Sequence, residues 1–283
     1  MLTKTLILVL ALSGCSGETA PETPPATPEG VGGPPDTTPA PPPPTIAIAD
    51  LQAQAENIAL VPSPAEMQRA LEKAGIASGI DKLVKERDFK MDVENKDIVA
   101  VRTGVLLADA LLTVKDAPNE QLVARLEKVK IGMNALGAGP DIAATIDELN
   151  NKIKNEVASR DELLRELDEL HGAILPEIKF EAGERAIPLI QAGSWLEGSN
   201  LVSEAILTAG KPEAANSLLR QPQIAGYFLK YVQVQGADKA PAEVLGQLET
   251  TLKKLQEIAS KPVLTAEDVT EVKAQTTAVL ALL

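Results

Sequence analysis

His171 is the only histidine in the chain and Cys15 the only cysteine. A ferritin-type di-iron centre needs two Glu-x-x-His motifs, so it cannot be built from one histidine. Asp168-x-x-His171 sets a carboxylate and an imidazole on one helical face, where a surface pair accounts for both. A Ser-His-Asp system would have to recruit His171 from a charge-rich helix, and no Gly-x-Ser-x-Gly elbow presents a serine. The glycine-rich run Gly137 to Asp141 lacks the Lys-Ser or Lys-Thr pair of a phosphate loop and reads as a helix stop followed by a proline-led start. Asp147 to Lys152 lacks the glycine and the distal glutamate of a calcium loop. No catalytic residue, metal site or cofactor is expected.

What remains are polar residues in apolar company. Arg102 and Asp109 lie two turns apart on the most apolar stretch of the chain, Lys96 to Val114, and buried charges there need partners. Gly104 and Ala108 keep that surface slim enough for another helix to approach closely. Gly193-Ser194-Trp195-Leu196-Glu197-Gly198 combines the only tryptophan with a carboxylate between two glycines. Its structural reading is tight packing around a core Trp195. Its functional reading is a pocket lined by Trp195, Glu197 and Asp109. Arg102, Asp109, Trp195 and Glu197 are therefore the candidate polar cluster, for a ligand or for the fold.

The elements that must position these residues read as helices throughout, and no alternating strand pattern occurs. Ser63-Pro64-Ala65-Glu66 is a capping box with proline in the first turn, opening a helix that ends near Gly75. Leu122, Leu126, Val129, Met133 and Leu136 step by three and four, and Gly137 stops that helix. Ile142, Ile146, Leu149 and Ile153 form a stripe that Leu163, Leu167, Leu170 and Ile174 repeat in phase, with Glu156 and Arg160 between them. The phasing predicts one long helix over 140–174, whose acidic faces would suit a partner. The alternative is a second helix capped by Ser159-x-x-Glu162. Pro176 and Pro188 punctuate a helical stretch ending near Gly210, shorter helices follow over 212–235, and two amphipathic helices finish the chain, the last starting after Thr265. The expected fold is all-α, an irregular bundle of seven to nine helices with a mostly aliphatic core, since the whole chain holds six aromatic residues.

The amino-terminal end differs in kind. Lys4 and the apolar run Leu6 to Leu12 have the layout of a secretory signal, too short to span a bilayer as a mature helix. Leu12-Ser13-Gly14-Cys15 resembles the bacterial lipobox. That resemblance implies cleavage before Cys15, a thioether-linked diacylglycerol on its sulfur and an additional N-acyl chain. Several acyl chains anchor stably where one would not. Ser16 at the next position, in place of the aspartate that resembles an inner-membrane retention signal, favours the outer membrane in a diderm source. Residues 16–45 carry eleven of the 21 prolines and no aromatic, a composition that cannot bury enough apolar area to fold. As extended chain they reach roughly 90 Å at about 3.1 Å per residue. The domains read as signal 1–14, lipidated cysteine and linker 15–45, and helical domain 46–283.

With 27 basic and 40 acidic residues the formal net charge is −13, which disfavours nucleic acid as a partner. The segments Val61 to Glu66 (VPSPAE), Thr103 to Asp109 (TGVLLAD) and Gly193 to Gly198 (GSWLEG) resemble, in that order, a group of uncharacterised bacterial lipoproteins with an all-helical domain. This chain has Leu106 where that group often has an aromatic residue. The resemblance implies no activity, only that Asp109, Trp195 and Glu197 matter together. The function expected is that of a membrane-anchored envelope lipoprotein, not an enzyme, serving as a helical interaction or scaffold module with an envelope protein partner. The alternative is a small-ligand binder with a cleft near Asp109, Trp195 and Glu197.

Overall fold

The computed structural model describes residues 61–283, apart from 77–78, 184, 237–238 and 240, and it describes only the backbone of 173–182. The signal segment, Cys15 and the 15–45 linker lie outside the described residues. Among the described residues the chain forms ten α-helices, two short 3₁₀ turns and no strand. The helices are α1 (Pro64–Lys73), α2 (Lys96–Thr113), α3 (Asn119–Ala135), α4 (Pro140–Lys154), α5 (Arg160–Ala182), α6 (Ala186–Ala209), α7 (Ala215–Leu218), α8 (Pro222–Gln235), α9 (Ala242–Ala259) and α10 (Ala266–Leu280).

Local chemistry sets most of their ends. The Ser63 hydroxyl accepts from the Glu66 amide at 3.1 Å, while the Glu66 carboxylate accepts from the Ser63 amide at 2.7 Å. Thr265 and Asp268 repeat this reciprocal cap at the start of α10. Gly137 and Gly210 follow α3 and α6 at φ 87° and 63°, left-handed geometry that releases the chain from the helix. The proline-led start falls at Pro140, the first residue of α4.

The helix expected over 140–174 is two helices, which with the single-turn α7 brings the number to ten. Glu156 sits at φ 55°, so the helix cannot continue through it. Two stripe positions at the break, 156 and 160, are polar, so a straight helix would gain no burial there. The break instead satisfies freed groups: Asn119 Nδ2 donates to the Ile153 carbonyl at 3.2 Å and to Glu156 Oε1 at 3.2 Å. Arg160 turns back to the Ala117 carbonyl at 2.8 Å and Asn119 Oδ1 at 2.6 Å. Ser159 then caps α5 with Glu162. The two in-phase stripes, Ile142–Ile153 and Leu163–Leu170, are buried in one core from two separate helices, so no continuous acidic helix face exists over 140–174.

Helices α2 and α6 are apolar nearly all round and form the axis of the domain. On one side α3, α4 and α5 pack against them around Leu111, Leu126, Met133, Ile146 and Leu167. On the other side α1, α8, α9 and α10 pack around Leu71, Trp195, Phe228, Leu252 and Val269. The axis is held by a reciprocal glycine contact. A β-carbon on Gly104 would collide with the Ile190 carbonyl oxygen, and one on Gly193 with the Val101 carbonyl oxygen. Ser194 Oγ closes the crossing by donating to the Gly104 carbonyl at 2.9 Å.

Alanine at either glycine would gain up to about 1 kcal/mol of helix propensity. Overpacking against rigid main chain costs about 1–3 kcal/mol or more, and here it dominates. Gly104→Ala and Gly193→Ala are therefore expected to lower the urea midpoint. Gly172→Ala, in α5 with open space around its β-carbon, is expected to raise it. A rise in all three would show that the crossing tolerates a side chain and does not constrain the fold.

Candidate functional site

The four sequence-selected residues separate into three places. Asp109, on α2, and Glu197, on α6, are buried and meet across the helix axis. The group that joins them is Arg87, in the irregular segment before α2. Its Nη1 and Nη2 donate to Glu197 Oε1 and Oε2 at 2.9 and 2.8 Å, a bidentate pair, and its Nη1 lies 3.5 Å from Asp109 Oδ2. One guanidinium thus serves two carboxyl groups. Burial holds the Asp109 carboxyl well above the usual aspartate range, and the neighbouring Glu197 charge raises it further, against the pull of Arg87. Asp109 Oδ1 is sealed from solvent and meets no donor. Asp109 and Glu197 lie within hydrogen-bond contact of each other, which favours a proton between them.

A second buried arginine stands behind this pair. Arg125 Nη1 donates to Thr113 Oγ1 at 2.7 Å, and the Thr113 hydroxyl donates to the Asp109 carbonyl at 2.6 Å. Arg125 also lies 3.7 Å from Glu86, which Lys128 contacts at 2.8 Å. This chain of contacts pins the segment carrying Glu86 and Arg87 onto α2 and α3.

Trp195, two residues before Glu197, points off the other side of α6. It packs on Phe228 of α8 with ring centroids 5.4 Å apart. Both rings line a cavity of about 420 Å³ whose walls come from α2, α6, α8, α9 and α10, including Leu196, Leu248, Leu252 and Val279. Ile98 and Leu282, both exposed large apolar residues, belong to its lining. So do Asp97, Arg185, Tyr231 and Lys239. Arg185 Nη2 pairs with Asp97 at 2.7 Å, and its Nη1 donates to the Gln235 carbonyl at 3.2 Å. The Tyr231 hydroxyl is sealed from solvent with no hydrogen-bond partner. Burial pushes its phenol up to about 12, so it stays protonated, a donor. Neither Asp109 nor Glu197 lines this cavity, nor a second one between α1, α6 and α8.

Arg102 is turned away from Asp109. Its Nη1 donates to the Lys90 carbonyl at 2.7 Å, its Nε to the Leu283 main-chain oxygen at 2.9 Å, and its guanidinium lies over the Phe89 ring at 5.6 Å. Asp168 serves α1: it accepts from Arg69 at 2.8 Å and from Ser63 Oγ at 3.1 Å. Among the described residues no group of three or more His, Cys, Asp or Glu is placed to hold a metal ion.

Two residues escaped the sequence reading. Arg87 had no detectable signal, because it lies in a segment without periodicity. Arg125 had one: it follows Leu122 by three and precedes Val129 by four, inside the apolar stripe, and it is buried. The fold and sites define an all-helical domain with a sealed carboxyl pair at its axis and a ligand-sized apolar cavity beside it. Comparison with protein-family models, curated proteins and solved structures finds no match to this chain.

An aspartate raised on folding stabilises fully at and below its unfolded value, near 3.8, and that stability is lost as pH rises toward its folded value. Asp109→Asn keeps a neutral donor beside Glu197 and cannot ionise. It is expected to shrink the loss of stability between pH 5 and pH 8, because a side chain that cannot ionise has no proton to lose as pH rises. Urea midpoints of both proteins across that range decide it. A parallel offset at every pH would mean that Asp109 does not retain a proton.

Proposed function

We propose that this chain is a bacterial envelope lipoprotein anchored through a lipidated Cys15. Its helical domain is a non-catalytic module that takes a small apolar ligand in the Trp195 cavity. The address rests on the apolar run Leu6 to Leu12, the lipobox-like Leu12-Ser13-Gly14-Cys15 and the proline-rich stretch that follows. Ser16 favours the outer membrane where the source has one. No helix among the described residues is long and apolar enough to cross a membrane.

The single observation that carries the ligand reading is the cavity itself. Its 420 Å³ falls within the 300–1,000 Å³ typical of small-molecule sites, and its walls are overwhelmingly apolar. Catalysis is not supported by the same geometry. A general acid or base must come within hydrogen-bond reach of its substrate, and the carboxyl pair is engaged with Arg87 on the opposite side of α6. Without a ligand, the domain is left with its surface, as an interaction or scaffold module for an envelope protein.

Two outcomes are expected. Cys15→Ala should abolish incorporation of labelled palmitate and release the chain from the membrane fraction; palmitate labelling that survives would remove the anchor. The Cys15→Ala chain, free of its own acyl groups, should bind a neutral naphthylamine dye saturably at one site. Adding Ala192→Phe, which projects a ring into the cavity lining, should weaken that binding at least tenfold with the unfolding midpoint retained. The absence of saturable binding would return the domain to the scaffold reading.

A further inference from the structure

The cavity is apolar in its walls but not in its margin, and the margin has a sign. Its charged lining residues among those described are Arg185, Lys239 and Asp97, two cations to one anion. The whole chain runs the other way, with 27 basic to 40 acidic residues. A local reversal of charge beside an apolar void is the arrangement that receives an amphiphile with a negative head.

The donors are there to bind such a head. The Arg185 guanidinium has five N–H groups, and its bonds to Asp97 and to Gln235 leave donors over. Lys239 adds a flexible ammonium. The Tyr231 hydroxyl is close enough to Arg185 for each to influence the other's ionisation. That hydroxyl is sealed without a partner, so it lies behind the lining, and a ligand head meets Arg185 and Lys239 instead. Asp97 holds the guanidinium in place and disfavours a second anion deeper in the site.

We propose that the cavity binds a single-chain amphiphile with a carboxylate or similar small anionic head, its head held by Arg185 and Lys239 and its hydrocarbon chain running along Trp195, Leu248 and Leu252. This rests on the cavity being the ligand site, as proposed above. A neutral apolar compound would satisfy the walls alone. A cationic amphiphile would meet Arg185 and Lys239 and be repelled.

The test compares three probes with the same chain and different heads: dodecanoate, dodecanol and dodecyltrimethylammonium, each below its micelle concentration. The Cys15→Ala chain is titrated at neutral pH while fluorescence of Trp195, the only tryptophan, is followed. Dodecanoate is expected to bind at least tenfold tighter than dodecanol, with the ammonium probe weakest. Arg185→Gln should weaken dodecanoate at least tenfold and leave dodecanol within twofold. Tyr231→Phe, which keeps the ring and removes a hydroxyl the head does not reach, should leave dodecanoate within twofold. Equal binding of all three probes would overturn the anionic head while leaving the cavity as an apolar site. A preference for dodecanoate that survives Arg185→Gln would place the head elsewhere and overturn the assignment. Failure of every probe, dodecanol and the naphthylamine dye included, would overturn the ligand site itself.

Discussion

Everything in this domain is arranged around the crossing of two helices that have no room for a side chain between them. Gly104 and Gly193 each face the main chain of the other helix, so α2 and α6 approach backbone to backbone. Such an approach makes them a shared wall with a core on either side. It also gives each face of α6 a different neighbour. Residues two positions apart on that helix look out on different surroundings, and this is what separates Glu197 from Trp195.

The two faces carry opposite chemistry for a reason of cost. A carboxylate sealed in the protein is tolerated only with a counter-charge and full hydrogen bonding. Arg87 gives Glu197 both, in a bidentate pair, and has only a 3.5 Å ion contact left for Asp109. Retaining a proton on Asp109 is the less costly solution, and it needs no solvent or ligand. Such a cluster, closed by Arg125 and Thr113, ties the irregular segment before α2 to the axis. On the other face, among the described residues, the cavity lining holds no buried charge. The cavity there is walled by hydrocarbon and aromatic rings, with its ionic groups at the margin. One face spends its polar groups on holding the fold, and the other leaves an opening.

The helices were legible wherever the signal was local. The capping box at Ser63, the helix start after Thr265, the glycine stops at Gly137 and Gly210 and the proline start at Pro140 each act over a few residues, and each is where the pattern put it. The slim surface of Gly104 and the tight packing implied by Gly193 and Gly198 were legible for the same reason. The break at 155–159 was not decided by periodicity, because two stripes in phase suit a straight helix and a returning pair equally well. The choice was made by contacts with the turn before α3: Asn119 meets the freed Ile153 carbonyl, and Arg160 reaches back to the Ala117 carbonyl. Among the site residues, Asp109 and Glu197 stood out as carboxylates in apolar company. Their partner Arg87 is 22 residues from one and 110 from the other, in a segment with no pattern to mark it.

By itself, the sequence determined the all-helical class, most helix ends, the acidic balance and the presence of a few polar groups that burial would force into pairs. These follow from backbone capping, side-chain periodicity and the cost of desolvating charge, all of which act locally or on composition. Only the tertiary structure decided which polar groups pair and which residues border a void. It took Arg102 to Leu283, gave Arg87 to Glu197 and Asp109, and turned Trp195 toward Phe228 and the cavity. Those choices depend on how closely α2 and α6 approach and on which segments cross their faces. No spacing along one chain encodes that distance.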